Sequence, residues 1–271
     1  MLKTEFIFIY TVLIFLSSLT IINCSDDIVS RVPVDSSDFR YPFKDGSTWT
    51  YKKTFSVSDI RPDSILHYFT DYPLVTTGTV IILYDTVINS ITTKCFLDHF
   101  TLQGVARTNR FYYINNDTSL ILFASRYSPA SGLFPLNTIR NNIFQIESSN
   151  PKTEDVISSY SIDTLFSTLK YPIITGQEWS YFNGFNTISR KYMGFENISV
   201  PAGTISCMKE RTTYSSIPDD EIYNYYSKFG LMKRTQFIND ISFSTIVNPA
   251  GIGIIDVNDD SEILSYNIPT D

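Results

Sequence analysis

The sequence predicts an all-β protein, with antiparallel, strongly curved sheet forming a barrel or half-barrel built from two similar halves. Three observations carry that expectation. A frame of aromatic, Pro and Gly residues occurs twice. Short alternating stretches follow one another, divided by turn residues. The composition suits strands: 18 Tyr and 20 Phe stand among 271 residues, and no segment beyond about ten residues shows a clean helical period.

The frame is Tyr-Pro-x-x-x-Gly-x-x-Trp-[Ser/Thr]-Tyr. It comprises Tyr41, Pro42, Gly46, Trp49 and Tyr51 in the first copy, and Tyr171, Pro172, Gly176, Trp179 and Tyr181 in the second. The chain has 2 Trp, and both occupy the same place in the frame. Pro fixes φ and lacks a donor, so it suits the residue before a strand. Gly supplies the tight turn that follows. Trp49, Tyr51, Phe55 and Val57 then alternate with Thr48, Thr50, Lys52, Thr54 and Ser56, the period of two expected of a strand with one buried face. Lys53 falls on the apolar side and is expected to snorkel. Two roles are open to Trp49, Tyr51, Trp179 and Tyr181: lining a ligand site, or anchoring equivalent core positions at the starts of two half-sheets.

The likeness continues beyond the frame. A hairpin in each half ends near a cysteine, Cys95 and Cys207, and the pairs Tyr112-Tyr113 and Tyr225-Tyr226 follow at nearly equal distance. Each pair leads into an apolar strand, Leu120–Phe123 and Leu231-Met232. Strands are expected near 47–57, 78–88, 91–102, 106–114, 118–126 and 142–148, then near 177–184, 188–199, 204–214, 222–229, 231–238 and 241–248. Asn89-Ser90, Asn115-Asn116-Asp117, Pro201-Ala202-Gly203 and Asp219-Asp220 read as turns. Ile162–Leu169 is the best helical candidate and could equally be a strand. The segment after Pro249 reads as a further edge strand.

Before the domain, residues 1–23 read as a signal. Lys3 precedes an apolar run, Phe6–Ile22, broken by Thr11, Ser17, Ser18 and Thr20. A retained transmembrane anchor is the alternative, at the short end of the roughly 20 residues a span needs. Cys24 follows directly after Ile21-Ile22-Asn23. This arrangement resembles a bacterial lipoprotein signal, although Ile21 stands where Leu is favoured. The resemblance implies lipidation of Cys24, with palmitate-type acyl chains, and a partner in the membrane itself. It also implies a cell-envelope address, lipid-anchored to the outer membrane on its periplasmic or exposed side. Ser25-Asp26-Asp27 resembles a surface-export signal or is a solvated linker, and residues 24–40 read as a tether. The rest, 41–271, reads as a single β domain with similar halves at 41–130 and 171–250.

Few sites of chemistry are legible. The formal net charge is −7 with basic residues scattered, which argues against nucleic acid as a partner. The 2 His, His67 and His99, do not form a metal-ligand spacing. No nucleophile elbow or phosphate-cradling Gly loop is present. Asp219-Asp220-Glu221 and Asp256, Asp259 and Asp260 could hold Ca²⁺ through oxygen ligands but read as solvated turns. No catalytic residue, metal or cofactor is expected. Cys95 and Cys207 either pair as a disulfide across a pseudo-symmetry axis or remain two buried thiols.

Ile198-Ser-Val-Pro-Ala-Gly-Thr-Ile-Ser-Cys207 and Tyr225-Tyr-Ser-Lys-Phe-Gly-Leu-Met-Lys233, together with the early frame, resemble a group of uncharacterised bacterial lipoproteins. The match covers most of 41–238 and rests on turn and core residues, so it implies a scaffold and no catalytic residue. The sheet is similar, at fold level, to the half-barrel of periplasmic lipoprotein carriers. The expected function is a membrane-anchored, non-enzymatic envelope lipoprotein that binds an apolar or amphipathic small molecule. The alternative is a surface or periplasmic module with a filled core that binds another envelope protein.

Overall fold

The structure is a computed structural model that describes residues 36–102, 104–126, 158–159, 166–182, 187–215, 217–243 and 252–270. The signal, Cys24, most of the tether and the strand expected at 142–148 lie outside the described residues. Antiparallel strands dominate what is described, in a sheet that curls without closing its ladder. In chain order they are β1 (Ser36–Ser37), β2 (Thr48–Arg61), β3 (Leu74–Ile88), β4 (Ile91–Leu102), β5 (Val105–Asn115), β6 (Ser119–Arg126), β7 (Ser158–Ser159) and β8 (Phe166–Lys170). There follow β9 (Ile173–Ile174), β10 (Glu178–Phe182), β11 (Thr187–Val200), β12 (Gly203–Tyr214), β13 (Ile217–Ser227), β14 (Gly230–Phe243) and β15 (Gly253–Asn267). A 3-10 helix over Asp63–Phe69 links β2 to β3.

Thirteen strands form one sheet in the order β10-β11-β12-β13-β14-β15-β2-β3-β4-β5-β6-β7, with β8 also pairing β6; β1 pairs β9 separately. The curl can be measured. In the sheet, β13 and β4 are five steps apart, about 24 Å if flat. Yet Phe96 of β4 and Tyr226 of β13 both pack on Tyr41, with ring centroids at 6.1 Å and 6.4 Å. The two ends of the sheet meet through side chains. Trp179 Nε1 on β10 donates to Ser167 O on β8 (2.8 Å), and the Tyr192 hydroxyl on β11 both donates to Lys170 O and accepts from Lys170 N, each at 2.9 Å.

The two copies of the frame share their turn hydrogen bonds. Gly46 N donates to Ile82 O (2.9 Å) and Ile82 N to Ser47 O (3.0 Å); Gly176 N donates to Tyr192 O (2.7 Å) and Tyr192 N to Gln177 O (3.0 Å). Both glycines take a positive φ, +79° and +84°, as the third residue of a type II turn requires. The Tyr pairs coincide with a β-bulge in each half, between Tyr112 and Tyr113 and between Tyr225 and Tyr226. Each bulge leaves one extra residue on the partner strand, Phe123 and Met232, and both are buried. The frames also touch, since Tyr41 N donates to the Tyr171 hydroxyl (3.1 Å).

Alternation places Trp49, Tyr51, Phe55 and Val57 of β2 on the inner face. The core there has two parts. One gathers Phe55, Ile222, Ile238, Phe243 and Ile255 under Ile65 and Phe69 of the 3-10 helix. The other gathers Trp49, Tyr51, Ile82, Phe96 and Ile263, and runs on to Leu169, Trp179, Tyr192 and Met208 through the shared Tyr41 and Phe43. The β13–β14 turn tucks in against this second part: Trp49 Nε1 donates to Phe229 O (2.6 Å) and the Tyr51 hydroxyl to Leu231 O (2.8 Å). The Pro201-Ala202-Gly203 turn between β11 and β12 then reaches β15, where Ala202 N donates to Ile263 O (3.2 Å).

Several expectations are corrected. The segment after Pro249 supplies a 15-residue strand, not an edge: β15 lies between β14 and β2 and joins the halves. Asp219-Asp220 belongs to β13, and the two strands expected at 231–248 are one strand through Phe243. Residues 166–169 of the helical candidate belong to strand β8. The tether already pairs at Ser36–Ser37, with Ile174 and Ile173.

Candidate functional site

Polar residues cross the inner face as a belt. Reading the register from strand to strand, Glu210, Asn224, Arg234, Ser261, Lys53 and Thr76 lie directly opposite one another on β12, β13, β14, β15, β2 and β3. The belt separates the two parts of the core, and it accounts for the weak apolar alternation of β15. Glu210 is 0% exposed. Its Oε2 accepts from Asn224 Nδ2 (2.6 Å) and Arg190 (3.3 Å), and its Oε1 from Thr212 Oγ1 (2.8 Å) and Arg190 (3.4 Å). Burial works against the Arg190 charge, but Glu210 and the oxygens of Tyr181, Tyr226 and Tyr214 more than offset it, so the guanidinium pKa lies well above its ordinary value. At the other end Lys53 Nζ meets Asp98 Oδ1 at 2.8 Å and lies 4.2 Å from the Phe100 ring centroid, while Asn109 Nδ2 donates to Asp98 Oδ2 (3.3 Å). The snorkelling expected of Lys53 is thus replaced by an inward ion pair. Buried charges are tolerated when paired and hydrogen-bonded, so the belt reads as a fixed element of the fold.

The residues expected to line a ligand are core anchors. Trp49, Tyr51 and Trp179 are buried, and each donates to a backbone oxygen. Tyr181 is half-buried and packs against the Phe55 cluster. Cys95 and Cys207 are free thiols, which corrects the disulfide alternative. Cys95 packs with Ile88, Tyr112 and Phe123, and Cys207 with the Trp49 cluster, so likeness of position in the two halves does not bring them together. Among the described residues no group of His, Cys, Asp and Glu is placed to hold a metal ion. The reason is visible on β15: Asp259 faces inward with Phe55, and Asp260 faces outward with Thr54. His67 and His99 are exposed, at Ser64 O and Thr108 Oγ1. No described helix is long and apolar enough to cross a membrane.

A depression of about 310 Å³ opens on the outer face, lined by Tyr223, Thr235, Gln236, Phe237, Asn258 and Asp260. Cross-strand pairing sets its geometry: Tyr223 lies opposite Thr235, Thr235 opposite Asp260, and Phe237 opposite Asn258. Lys209 Nζ stands 4.3 Å from the Tyr223 ring centroid. Burial raises the Asp260 carboxyl above the usual range; Lys233 opposes this, and Asp259 and Glu262 add to it. Sequence reading marked Asp260 only as part of an acidic cluster. Tyr223, Thr235, Phe237 and Asn258 sit at ordinary outward positions of separate strands, and nothing in the linear order links them.

No family model and no curated protein matches the chain. Two solved structures are similar to it. A Bacteroides fragilis protein described as exported, with a YmcC-like fold, has 12% identity and a TM-score of 0.31 over 85% of this chain and 100% of that one. A Parabacteroides distasonis protein described as a lipoprotein has 11% identity and a TM-score of 0.29 over 86% and 100%. At those values neither likeness bears on what this chain does.

Proposed function

We propose that this chain is a non-enzymatic, lipid-anchored envelope protein whose filled β domain binds a partner through its outer face. The anchor rests on Cys24 and the apolar run before it. The surface reading rests on one contrast. Inside, the large aromatic anchors spend their donors on backbone oxygens. Outside, the half-buried Tyr223, Thr235, Asn258 and Asp260 side chains of the β13–β15 depression make no side-chain hydrogen bond among the described residues, while Gln236 at its floor is buried and accepts from Arg234 (3.1 Å). Half-buried groups without partners suit a site completed by a ligand.

Native mass spectrometry with lipid extraction, on the purified full chain, tests this reading. The expected mass is that of the processed chain plus covalent acyl groups, with no further lipid. A stoichiometric, non-covalent apolar molecule would replace it with an interior carrier. Labelled palmitate should be incorporated by the parent chain and not by Cys24→Ser; equal labelling would remove the anchor.

A further inference from the structure

We infer that the depression on β13, β14 and β15 is a saccharide site that takes one pyranose ring of a neutral oligosaccharide. The inference rests on the surface reading above and names its ligand. Size is the first reason. About 310 Å³ lies at the small end of the roughly 300–1,000 Å³ of small-molecule sites, room for a ring and not for a long chain.

The second reason is chemistry. A sugar ring has an apolar C–H face and a rim of hydroxyls, each both donor and acceptor. Phe237 offers aromatic surface to the first. The Asp260 carboxylate accepts, the Asn258 amide donates and accepts, and the Thr235 and Tyr223 hydroxyls do either. None of these groups is committed to another side chain by a hydrogen bond or ion pair among the described residues, and Tyr223 carries the Lys209 ammonium over its ring and packs at the margin of the Trp49 cluster. Asn258 and Asp260 are two residues apart on one strand, about 6.7 Å along it, so they can bracket one ring. Three paired strands hold the set in place, as a preorganised site needs.

Charge argues against other ligands. Lys233 is engaged with Glu262 at 2.7 Å, which leaves a poor cradle for phosphate. Lys209 already stands over Tyr223, where an ammonium ligand would have to sit. Keeping Asp260 half-buried with its acidic neighbours is also unfavourable to the fold, as expected of a residue retained for binding.

The test is saturation-transfer NMR and titration of the full chain with neutral trisaccharides of glucose, mannose, galactose and N-acetylglucosamine. The expected result is saturation of ring C–H protons by at least one sugar. Affinity should fall about tenfold or more in Asp260→Asn and in Phe237→Ala, with the unfolding midpoint of Asp260→Asn not lowered. Binding unchanged in both variants would overturn the inference. So would no binding at millimolar sugar, or preference for choline over every sugar. A protein cross-linked through these same residues would overturn the sugar alone and keep the surface reading. An interior lipid would overturn both.

Discussion

Removing the Glu210 carboxylate should be among the most damaging single changes in the inner belt. Glu210→Ala leaves Arg190 charged beneath the sheet, and it takes an acceptor from Asn224 and Thr212 at once. Breaking a buried pair from one side costs about 3–5 kcal/mol, because the remaining charge is uncompensated. The Arg190 side chain keeps 14% of its exposure, so some water reaches it and the lower end, about 3 kcal/mol, is expected. Denaturant unfolding followed by Trp emission is a suitable assay, since Trp49 and Trp179 sit in different apolar clusters and report on both halves. Coincident transitions from the two Trp, read in single-Trp variants, would establish one cooperative unit. The double variant Arg190→Met/Glu210→Leu should recover most of the loss, as apolar replacements of buried pairs commonly do. A loss below about 1 kcal/mol for Glu210→Ala would refute the reasoning, because that is the range of pairs that exchange freely with water.

Other outcomes follow from the same geometry. Gly230→Ala should cost about 2 kcal/mol or more and alter Trp49 emission, because Gly230 has φ +108° and an added Cβ would stand 2.7 Å from Trp49 Nε1; a neutral substitution would mean the turn is not tucked in. The Cys207 thiol, pushed up to about 12 by burial with Glu196 adding to it, should resist iodoacetamide at neutral pH until the chain unfolds; rapid native alkylation, or a Cys95–Cys207 disulfide in a non-reduced digest, would contradict the packing. Asp260 has a folded pKa above its unfolded one, so its contribution to stability is fully present below the unfolded pKa and is lost as pH rises through the folded value. Asp260→Asn should therefore be more stable than the parent at neutral pH, with the advantage shrinking in acid; the same difference at every pH would show that ionisation is not the cause.

The fold was legible where one rule acted locally. The turn at Gly46 and Gly176, the alternation after Trp49, and the paired Tyr positions all encode short-range constraints, and each recurs in the structure with the same bonds or the same bulge. Legibility failed along β15. Asp259 and Ser261 occupy inward positions of that strand, so its apolar alternation is interrupted where the belt passes. Lys53 was conspicuous for the same reason, but its partner Asp98 lies 45 residues away, and no local rule pairs them. The acidic runs read as turns because Asp favours turns, whereas cross-strand hydrogen bonding holds them extended.

The sequence by itself determined the class of structure, the repeated frame and the glycine turn in each copy of it, since these depend on side-chain period and φ preferences. It also put Cys24 behind an apolar run. Only the tertiary structure decided that the halves are joined by a strand belonging to neither, and that the tryptophans bond to backbone inside. It also decided that the cysteines stay apart and that five outward side chains on three strands surround one depression. Those outcomes depend on register and curl across the sheet. They come from packing between residues far apart in the chain, and a linear pattern carries no measure of that distance.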